Sequence, residues 1–286
     1  TNTQTICILH RQKHFSVGEE PLGQVSSAVC SVLRSNRTTI TTYGPEWMML
    51  FPNSAPTGIE QADLPASAQS LVTKLSPIFR GNSFRAISVD GRRAIIDYEA
   101  NALDFNRSYF VRNYVKCLAI ARLSNLCFPA PAGSACDFGS GLGPFSLAMA
   151  GVFPSLRFSL YDQSVAQIGL VKSYQRTGHL PSSFSAETKR MPFTNQPDCT
   201  LRLFSYFFCE NPIIYDDKEE LLTAIGQNAL IVDYPEVMDS ISSICKASGY
   251  EVTSISKIEL PLGPSLRRII GQDSIKVSGG AFRNGS

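Results

Sequence analysis

A row of glycines between two acidic residues is the part of this sequence best suited to hold a ligand. Asp137 ends a short apolar segment, and Gly139, Gly141 and Gly143 follow it at alternate positions. Glycines let a backbone turn tightly and approach a ligand with no Cβ in the way. The helix predicted next presents free N–H groups at the same place. Asp162 ends the following apolar segment, where an acid can accept both hydroxyls of a ribose.

The spacing of the glycines separates two classes of nucleoside cofactor. A dinucleotide site has the pattern GxGxxG, with the third glycine three residues after the second. That position is Pro144 here, and the third glycine is Gly143. The acid at 137 would repel a pyrophosphate, whereas it suits a ligand that bears an ammonium group. These residues therefore favour a nucleoside joined to an amino acid over a nicotinamide dinucleotide.

Residues 137–143 resemble the DxGxGxG signature of class I S-adenosylmethionine-dependent methyltransferases. Asp162 stands where that family has its ribose-binding acid, 186–193 is similar to the family's GDAxxLPF segment, and 204–210 resembles the segment after the fourth strand, beside the transferable methyl. The similarity extends from Arg107 to roughly Ser256. Two positions depart from the family, Pro144 in place of a small or polar residue and Glu187 in place of Asp. The resemblance implies a Rossmann-like domain, S-adenosylmethionine as cofactor, and methyl transfer.

The resemblance also implies which residues contact the cofactor. Glu187 would bind the adenine amino group and Thr188 the ring, while Arg112, on the helix before the core, would hold the methionine carboxylate through a two-pronged contact. The full set of expected cofactor-binding residues is Tyr109, Arg112, Asp137, Gly139, Ser140, Gly141, Gly143, Asp162, Gln163, Glu187, Thr188 and Ser205.

Tyr206 and Glu210 are the candidates for catalysis. They leave the sheet at its carboxyl edge, where open α/β sheets bind ligands. Glu210 can take a proton from the acceptor and Tyr206 can position it. The structural alternatives are packing for Tyr206 and capping of the next helix for Glu210. A base is needed only if the acceptor's proton must leave early, because the cofactor supplies the difficult chemistry.

The hydrophobic pattern predicts a scaffold that brings these residues together. Strands are predicted over 134–138, 157–161, 182–185, 199–208 and 229–233, and helices over 145–152, 165–176, 219–226 and 237–248. Such alternation indicates a parallel sheet with helices on both faces. Two final strands, over 251–259 and 266–277, indicate an antiparallel hairpin at the edge. The predicted fold is α/β, a seven-stranded, mostly parallel, doubly wound sheet.

The chain is expected to divide near residue 105. Residues 1–105 should form a smaller α+β region that covers the mouth of the sheet, with helices over 25–33 and 66–75 and a hairpin through Asp90-Gly91. Residues 106–286 should form the S-adenosylmethionine-binding domain, entered through an amphipathic helix over 107–126.

Composition narrows the class of protein. Hydrophobic residues make up 43% and charged residues 17%, which excludes a disordered chain. The net charge of +2 predicts no strong electrostatic attraction of nucleic acid to the protein. The eight cysteines include no CxxC pair, so we expect no structural metal, no disulfide framework and a reducing compartment. No apolar run is long enough for a membrane span, which makes the cytoplasm the expected location.

Three functions remain open, and they differ in whether a methyl group is transferred and to what acceptor. A small metabolite or biosynthetic intermediate is favoured by the near-neutral charge and the N-terminal cap. The runner-up is ribosomal RNA, because Ser205-Tyr206 and Glu210 are similar to the SYxLxE stretch of methyltransferase-like proteins of small-ribosomal-subunit assembly, although the metal-binding cysteines of those proteins have no counterpart here. The third is a module that binds the cofactor without turnover.

Overall fold

The computed structural model describes residues 47–54, 58–75, 86–89, 93–127, 131–190, 197–211, 214 and 216–285. The helix predicted over 25–33 and the Asp90-Gly91 turn lie outside these residues. Within the described part of the N-terminal region are helices α1 (Trp47–Leu50) and α2 (Ala66–Leu75) and strands β1 (Ala86–Val89) and β2 (Arg93–Ile96). The two strands pair in an antiparallel hairpin, so this region contains both helix and strand, as predicted.

A seven-stranded sheet forms the centre of the protein. Its strands are β3 (Ser134–Phe138), β4 (Arg157–Asp162), β5 (Ser185–Thr188), β6 (Leu201–Ser205), β7 (Asn228–Val232), β8 (Tyr250–Pro261) and β9 (Ser274–Asn284). The spatial order is β5-β4-β3-β6-β7-β9-β8. All pairs from β5 to β7 are parallel, and β9 runs antiparallel to both β7 and β8. The predicted α/β fold with an antiparallel edge hairpin is confirmed.

Helices cover both faces of the sheet because successive strand residues point to opposite sides. On β7, Leu230 and Val232 enter one hydrophobic core, while Ile231 enters the other. Helices α4 (Pro144–Val152) and α5 (Val165–Arg176) pack into the first core. Helices α6 (Lys218–Ile225) and α7 (Pro235–Ala247) pack into the second. This burial on both faces explains the nearly continuous apolar strands of the sequence.

Helix α3 (Tyr98–Cys127) is longer than the helix predicted over 107–126. Phe110, Tyr114 and Leu118, one turn apart, are buried on the face that packs toward the sheet. The helix contacts α4, α5, β7 and β9. The expected domain boundary at residue 105 falls inside this helix, whose first turns are fixed by contacts with distant residues that a local pattern does not contain.

The edge hairpin differs from its prediction at one point. The last strand was expected to begin at Leu266, but helix α8 (Pro264–Ile270) occupies that segment and separates β8 from β9. Pro264 takes the first helical position and Gly271 ends the helix in the left-handed conformation, with φ 74°. This pairing of an initial proline with a terminal glycine is typical of a short helix. No helix of the described residues is both long and apolar enough to cross a membrane.

Candidate functional site

The carboxyl ends of β3 and β4 form one half of the candidate site. The turn after β3 is tied to β4 by two hydrogen bonds, from Ser140 N to Tyr161 O at 3.0 Å and from Gly141 N to Asp162 Oδ2 at 2.8 Å. The glycine turn and the second acid, which the sequence places far apart, are therefore in direct contact.

The three glycines of the turn meet different neighbours. A Cβ on Gly139 would lie 2.9 Å from Phe207 Cδ2, and one on Gly143 would lie 2.6 Å from Leu160 Cδ2. These two glycines make room for the protein's own side chains. On Gly141 the nearest atom would be Gln167 Oε1 at 3.9 Å. Only Gly141 therefore has an open side that a ligand can approach.

Asp137 is a buried carboxylate that its surroundings satisfy only in part. Its side chain is 1% exposed, and Oδ2 accepts hydrogen bonds from Ser146 N at 3.1 Å and Ser146 Oγ at 2.8 Å. Oδ1 is buried and has no partner among the described residues. Burial raises the pKa of Asp137 to about 7, against the hydrogen bonds from Ser146, and the charge of Asp162 raises it further.

Asp162 is held in place but keeps acceptor capacity. Oδ2 accepts from Gly141 N and Oδ1 from Ser164 N, each at 2.8 Å. An ionised carboxylate has about four lone-pair sites, so both oxygens can accept again. Burial raises the pKa of Asp162, and its backbone hydrogen bonds oppose that shift. The helix cap of α5 is Ser164, whose Oγ accepts from Gln167 N at 3.1 Å.

Strand β5 brings the two predicted adenine-binding residues to the edge of this half. Glu187 pairs with Tyr161 and Thr188 with Asp162 in the parallel register. Both side chains are exposed, as is Gln163. Thr188 is thus adjacent to the ribose-binding candidate, as the resemblance implies. The rest of the predicted segment, Met191 to Phe193, lies outside the described residues.

The first turn of α3 connects the half formed by β3 and β4 to a second half, which is formed by the segments after β6 and β7. Glu99 accepts hydrogen bonds from Val165 N at 2.6 Å and Ala166 N at 3.0 Å, at the start of α5. On the other side, Tyr98 Oη donates to Glu210 Oε1. Burial, and then the charge of Glu210, raise the pKa of Tyr98 far above its usual range, so the phenol stays a donor. We call residues 98–106 the strap.

The segment after β6 carries the two catalytic candidates. Tyr206 has φ 55°, a left-handed conformation that is strained for a bulky residue. Its backbone N donates to Val232 O at 2.7 Å, and its Oη accepts from Lys116 Nζ at 2.5 Å. Glu210 ends a 3₁₀ turn over Phe208–Glu210. The cap of α6 is Asp217 rather than Glu210, since Asp217 Oδ1 accepts from Glu219 N and Glu220 N.

Asp233 is an anchoring residue that the sequence analysis missed. It follows β7, is 2% exposed, and accepts from Phe208 N, Cys209 N and Tyr234 N at 3.1, 3.2 and 2.8 Å. Burial raises its pKa, and these hydrogen bonds oppose that shift. Asp233 thus fixes the turn that presents Glu210. An acid at the end of an apolar segment is the signal that identified Asp137 and Asp162, and the same signal is present at Asp233.

The remaining expected cofactor contacts lie around α3 and the turn. Arg112 Cζ lies 5.6 Å from the centre of the Tyr109 ring, and Arg112 Nε is buried without a hydrogen-bond partner among the described residues. Ser205 Oγ accepts from the thiol of Cys117, with Sγ and Oγ 3.5 Å apart. Ser140 Oγ donates to Gly141 O at 3.5 Å.

The order of the sheet, the reversed β9 and the glycine turn directly after β3 together match the architecture implied by the resemblance. The predicted fold, a doubly wound α/β sheet with an antiparallel edge pair, is therefore confirmed. No family model matches the chain, and no curated protein matches it.

Three of the solved structures to which the chain is similar carry different printed activities. The chain is similar to a precorrin-6y C5,15-methyltransferase from Geobacter metallireducens (TM-score 0.44, 10% identity, covering 60% of this chain and 87% of that one). It is similar to a mitomycin 7-O-methyltransferase (TM-score 0.41, 15% identity, covering 66% of this chain and 58% of that one). It is also similar to a candidate RNA methyltransferase from Pyrococcus horikoshii (TM-score 0.39, 14% identity, covering 77% of this chain and 98% of that one). What each one methylates is a property of that protein.

Proposed function

We propose that this protein is an S-adenosylmethionine-dependent methyltransferase that acts on a small molecule. The observation that carries the proposal is Asp137 Oδ1, a buried carboxylate oxygen with no donor among the described residues, on the acid that precedes the glycine turn. Leaving such an oxygen unpaired costs about 1–3 kcal/mol or more. An ammonium group offers three donors and a compensating charge. The amino-acid end of S-adenosylmethionine carries that group.

Other residues of the same half fit the rest of the cofactor. Asp162 retains acceptor sites for ribose hydroxyls, and the open side of Gly141 lies beside it. Glu187 and Thr188, at the edge of the sheet, would contact the adenine, and the guanidinium of Arg112 would bind the methionine carboxylate. When bound, the cofactor would supply a methyl group on a sulfonium, a carbon activated for displacement.

The strap supports a small acceptor over a macromolecule. Glu99 joins it to the start of α5, and Tyr98 joins it to Glu210, so its first turn connects the two sides of the site. A folded RNA would need this segment displaced, whereas a small molecule can enter beside it. The aromatic side chains near Tyr206 also provide contact area for a compact, apolar molecule.

Tyr206 and Glu210 would act on the acceptor rather than on the cofactor. The strained backbone at Tyr206 and its hydrogen bond from Lys116 fix the ring beside the end of β6, which suits a positioning role. Glu210 is the proposed general base for an acceptor whose proton must leave. Tyr98 donates to Oε1 of Glu210, and because a carboxylate has about four lone-pair sites, Glu210 can take up a proton while that contact stays in place.

The cofactor is tested by binding of S-adenosylhomocysteine, which keeps the ammonium, carboxylate, ribose and adenine groups. We expect it to raise the melting temperature of the full chain, whereas NAD should not. At a hundredfold excess over Kd, the free energy of unfolding should rise by up to about 2.7 kcal/mol. Asp162→Asn should weaken this binding at least about tenfold, as expected for loss of a charged hydrogen-bond acceptor. Asp239→Asn, an exposed acid on α7, is the matched control and should bind normally. Binding by both variants alike would contradict the assignment.

The acceptor class is tested with methyl-labelled cofactor. Label that enters low-molecular-mass compounds of a cell extract supports the proposal. Label in RNA, together with retention on RNA that falls steeply with salt, would establish the RNA alternative instead. Cofactor binding with no labelled product in either fraction would favour a module that binds without turnover.

A further inference from the structure

Two cations lie one turn apart on α3, next to the acceptor half of the site. Arg112 and Lys116 are both partly buried, and neither forms an ion pair among the described residues. Burial, followed by the charge of Arg112, lowers the pKa of Lys116 to about 8, and only Cys117 opposes this shift. Among the residues that the structure describes, no carboxylate forms an ion pair with Lys116.

The partners that these cations do have are neutral or absent. Lys116 Nζ donates to the phenol oxygen of Tyr206, and Arg112 Nε is buried without an acceptor. A partly buried charge without a counter-charge is costly, and such a group beside a cleft is a candidate for binding a ligand of opposite charge. The nearby acids are engaged elsewhere, since Asp233 accepts three backbone N–H groups and Glu210 accepts from Tyr98.

Aromatic rings surround the cations. Lys116 Nζ lies 5.0 Å from the centre of the Tyr206 ring, and Tyr206 packs edge-on against Tyr234 with ring centres 5.3 Å apart. The side chain of Tyr234 is 55% exposed, which is unusual for a large ring and leaves one face available. Tyr109, under Arg112, continues the aromatic surface to Phe105, at 5.0 Å. Flat ring faces beside a cation suit a planar ligand that carries a negative charge.

Given the proposed function, in which Arg112 holds the carboxylate of the cofactor, we propose that the methyl acceptor is a planar aromatic acid whose anionic oxygen binds Lys116 beside Tyr206 and Tyr234. Two cations are then matched by two anions, one from each ligand. Tyr206 becomes a specificity residue as well as a positioning one, because it orients the ammonium of Lys116 and stacks near the ring of the acceptor.

Three naphthalenes that differ only in their polar group test this inference: 2-naphthoate, neutral 2-naphthamide and cationic 2-naphthylmethylamine. Binding is measured by calorimetry on the full chain saturated with S-adenosylhomocysteine. We expect 2-naphthoate to bind about tenfold or more tightly than the other two, as for one well-placed charge pair. Lys116→Met should remove this preference, Lys116→Arg should retain most of it, and Lys172→Met, an exposed cation on α5, should leave it unchanged.

The outcomes separate this inference from the function on which it rests. If S-adenosylhomocysteine does not bind, the proposed cofactor is wrong. If it binds and is retained by Lys116→Met, but the amide or the amine binds as tightly as the acid, the aromatic-acid acceptor is wrong. The same conclusion follows if none of the naphthalenes binds, or if Lys116→Met still prefers 2-naphthoate.

Discussion

The two halves of the carboxyl edge are built by different means. At β3 and β4, acids at strand ends are tied to the backbone of a neighbouring turn, as Asp162 is to Gly141. At β6 and β7, the side chains proposed to face the acceptor are held by a helix far away in the sequence, as Tyr206 is by Lys116 and Glu210 by Tyr98. The first half is assembled from successive strand ends, and the second from contacts between residues about 90 or more positions apart.

This difference follows from what each half has to recognise. A cofactor common to many enzymes can be held by a fixed turn and two carboxylates, so one local solution serves. An acceptor differs from protein to protein, and its contacts come from side chains that can change without disturbing the turn. The predictions below test whether the two halves are as separable as this comparison requires.

The largest effect is expected inside the cofactor half, where two glycines of the same turn should behave differently. In Gly143→Ala, the new Cβ would lie 2.6 Å from the buried Leu160 side chain at a φ of 73°. Overpacking and backbone strain together should destabilise the protein by about 2–4 kcal/mol. Gly141→Ala, at φ 52° but with nothing closer than 3.9 Å, should cost about 1 kcal/mol. Chemical denaturation measures both.

The same pair distinguishes packing from ligand contact. Gly141→Ala should weaken S-adenosylhomocysteine binding more than its small loss of stability suggests, because its Cβ enters the open side of the turn. Should Gly143→Ala be the milder of the two in denaturation, the division of roles between these glycines would be incorrect.

The ionised carboxylate of Asp137 should lower the stability of the ligand-free protein and favour binding of the cofactor. Its pKa in the folded protein, about 7, is raised from the ordinary 3.8, so the folded state binds the proton more tightly than the unfolded state does. Stability from this group is therefore full at low pH and is lost as pH rises from about 4 through 7. Asp137→Asn should be more stable than the wild type at pH 8, by on the order of 1–2 kcal/mol, with a flatter pH profile. It should also bind S-adenosylhomocysteine more weakly. A variant that is destabilised at pH 8 would contradict this account.

The fold could be predicted from the sequence because its signals are local, and so could the contact between the glycine turn and Asp162 on which the proposed cofactor half rests. Strand and helix periodicity defined β3, α2 and α5 to the residue, and one motif brought Asp137, Gly141 and Asp162 together. One error arose where contacts with distant residues determine the structure, since Glu99 and Tyr98 extend α3 toward the N-terminus. The other was a local signal that was not used, the Pro264 and Gly271 that begin and end α8 in the edge hairpin. Lys116 was missed because nothing near it in the sequence indicates that it meets Tyr206.

The strap should be the element that couples the two halves. Tyr98→Phe removes the donor to Glu210 and should cost about 1 kcal/mol of stability, the usual net contribution of one intramolecular hydrogen bond, because water can reach the half-buried Glu210. Hydrogen exchange should accelerate over 98–106, while residues 112–120, buried against the sheet, remain protected. Tyr174→Phe on α5 serves as a control for loss of a phenol. Unchanged exchange over 98–106 would show that the strap is held by its contacts with α5 and does not need the contact between Tyr98 and Glu210.

The smallest effect concerns the protonation of Lys116, and it isolates the acceptor half. The groups around this amine are Arg112 and Cys117 on α3 and Tyr206 after β6, and burial keeps the pKa values of the thiol and the phenol above their usual ranges. Only Lys116 should therefore titrate near pH 8, losing its charge as the pH rises. Affinity for 2-naphthoate should fall by about threefold between pH 7.5 and 8.5, as half or more of the amine becomes neutral.

Lys116→Arg should show no such decline, because a guanidinium stays charged. S-adenosylhomocysteine affinity should vary little over this range, since Asp137 is already mostly ionised. If both ligands lose affinity together, one titrating group serves both halves, and the separation between a local cofactor motif and a long-range acceptor site fails.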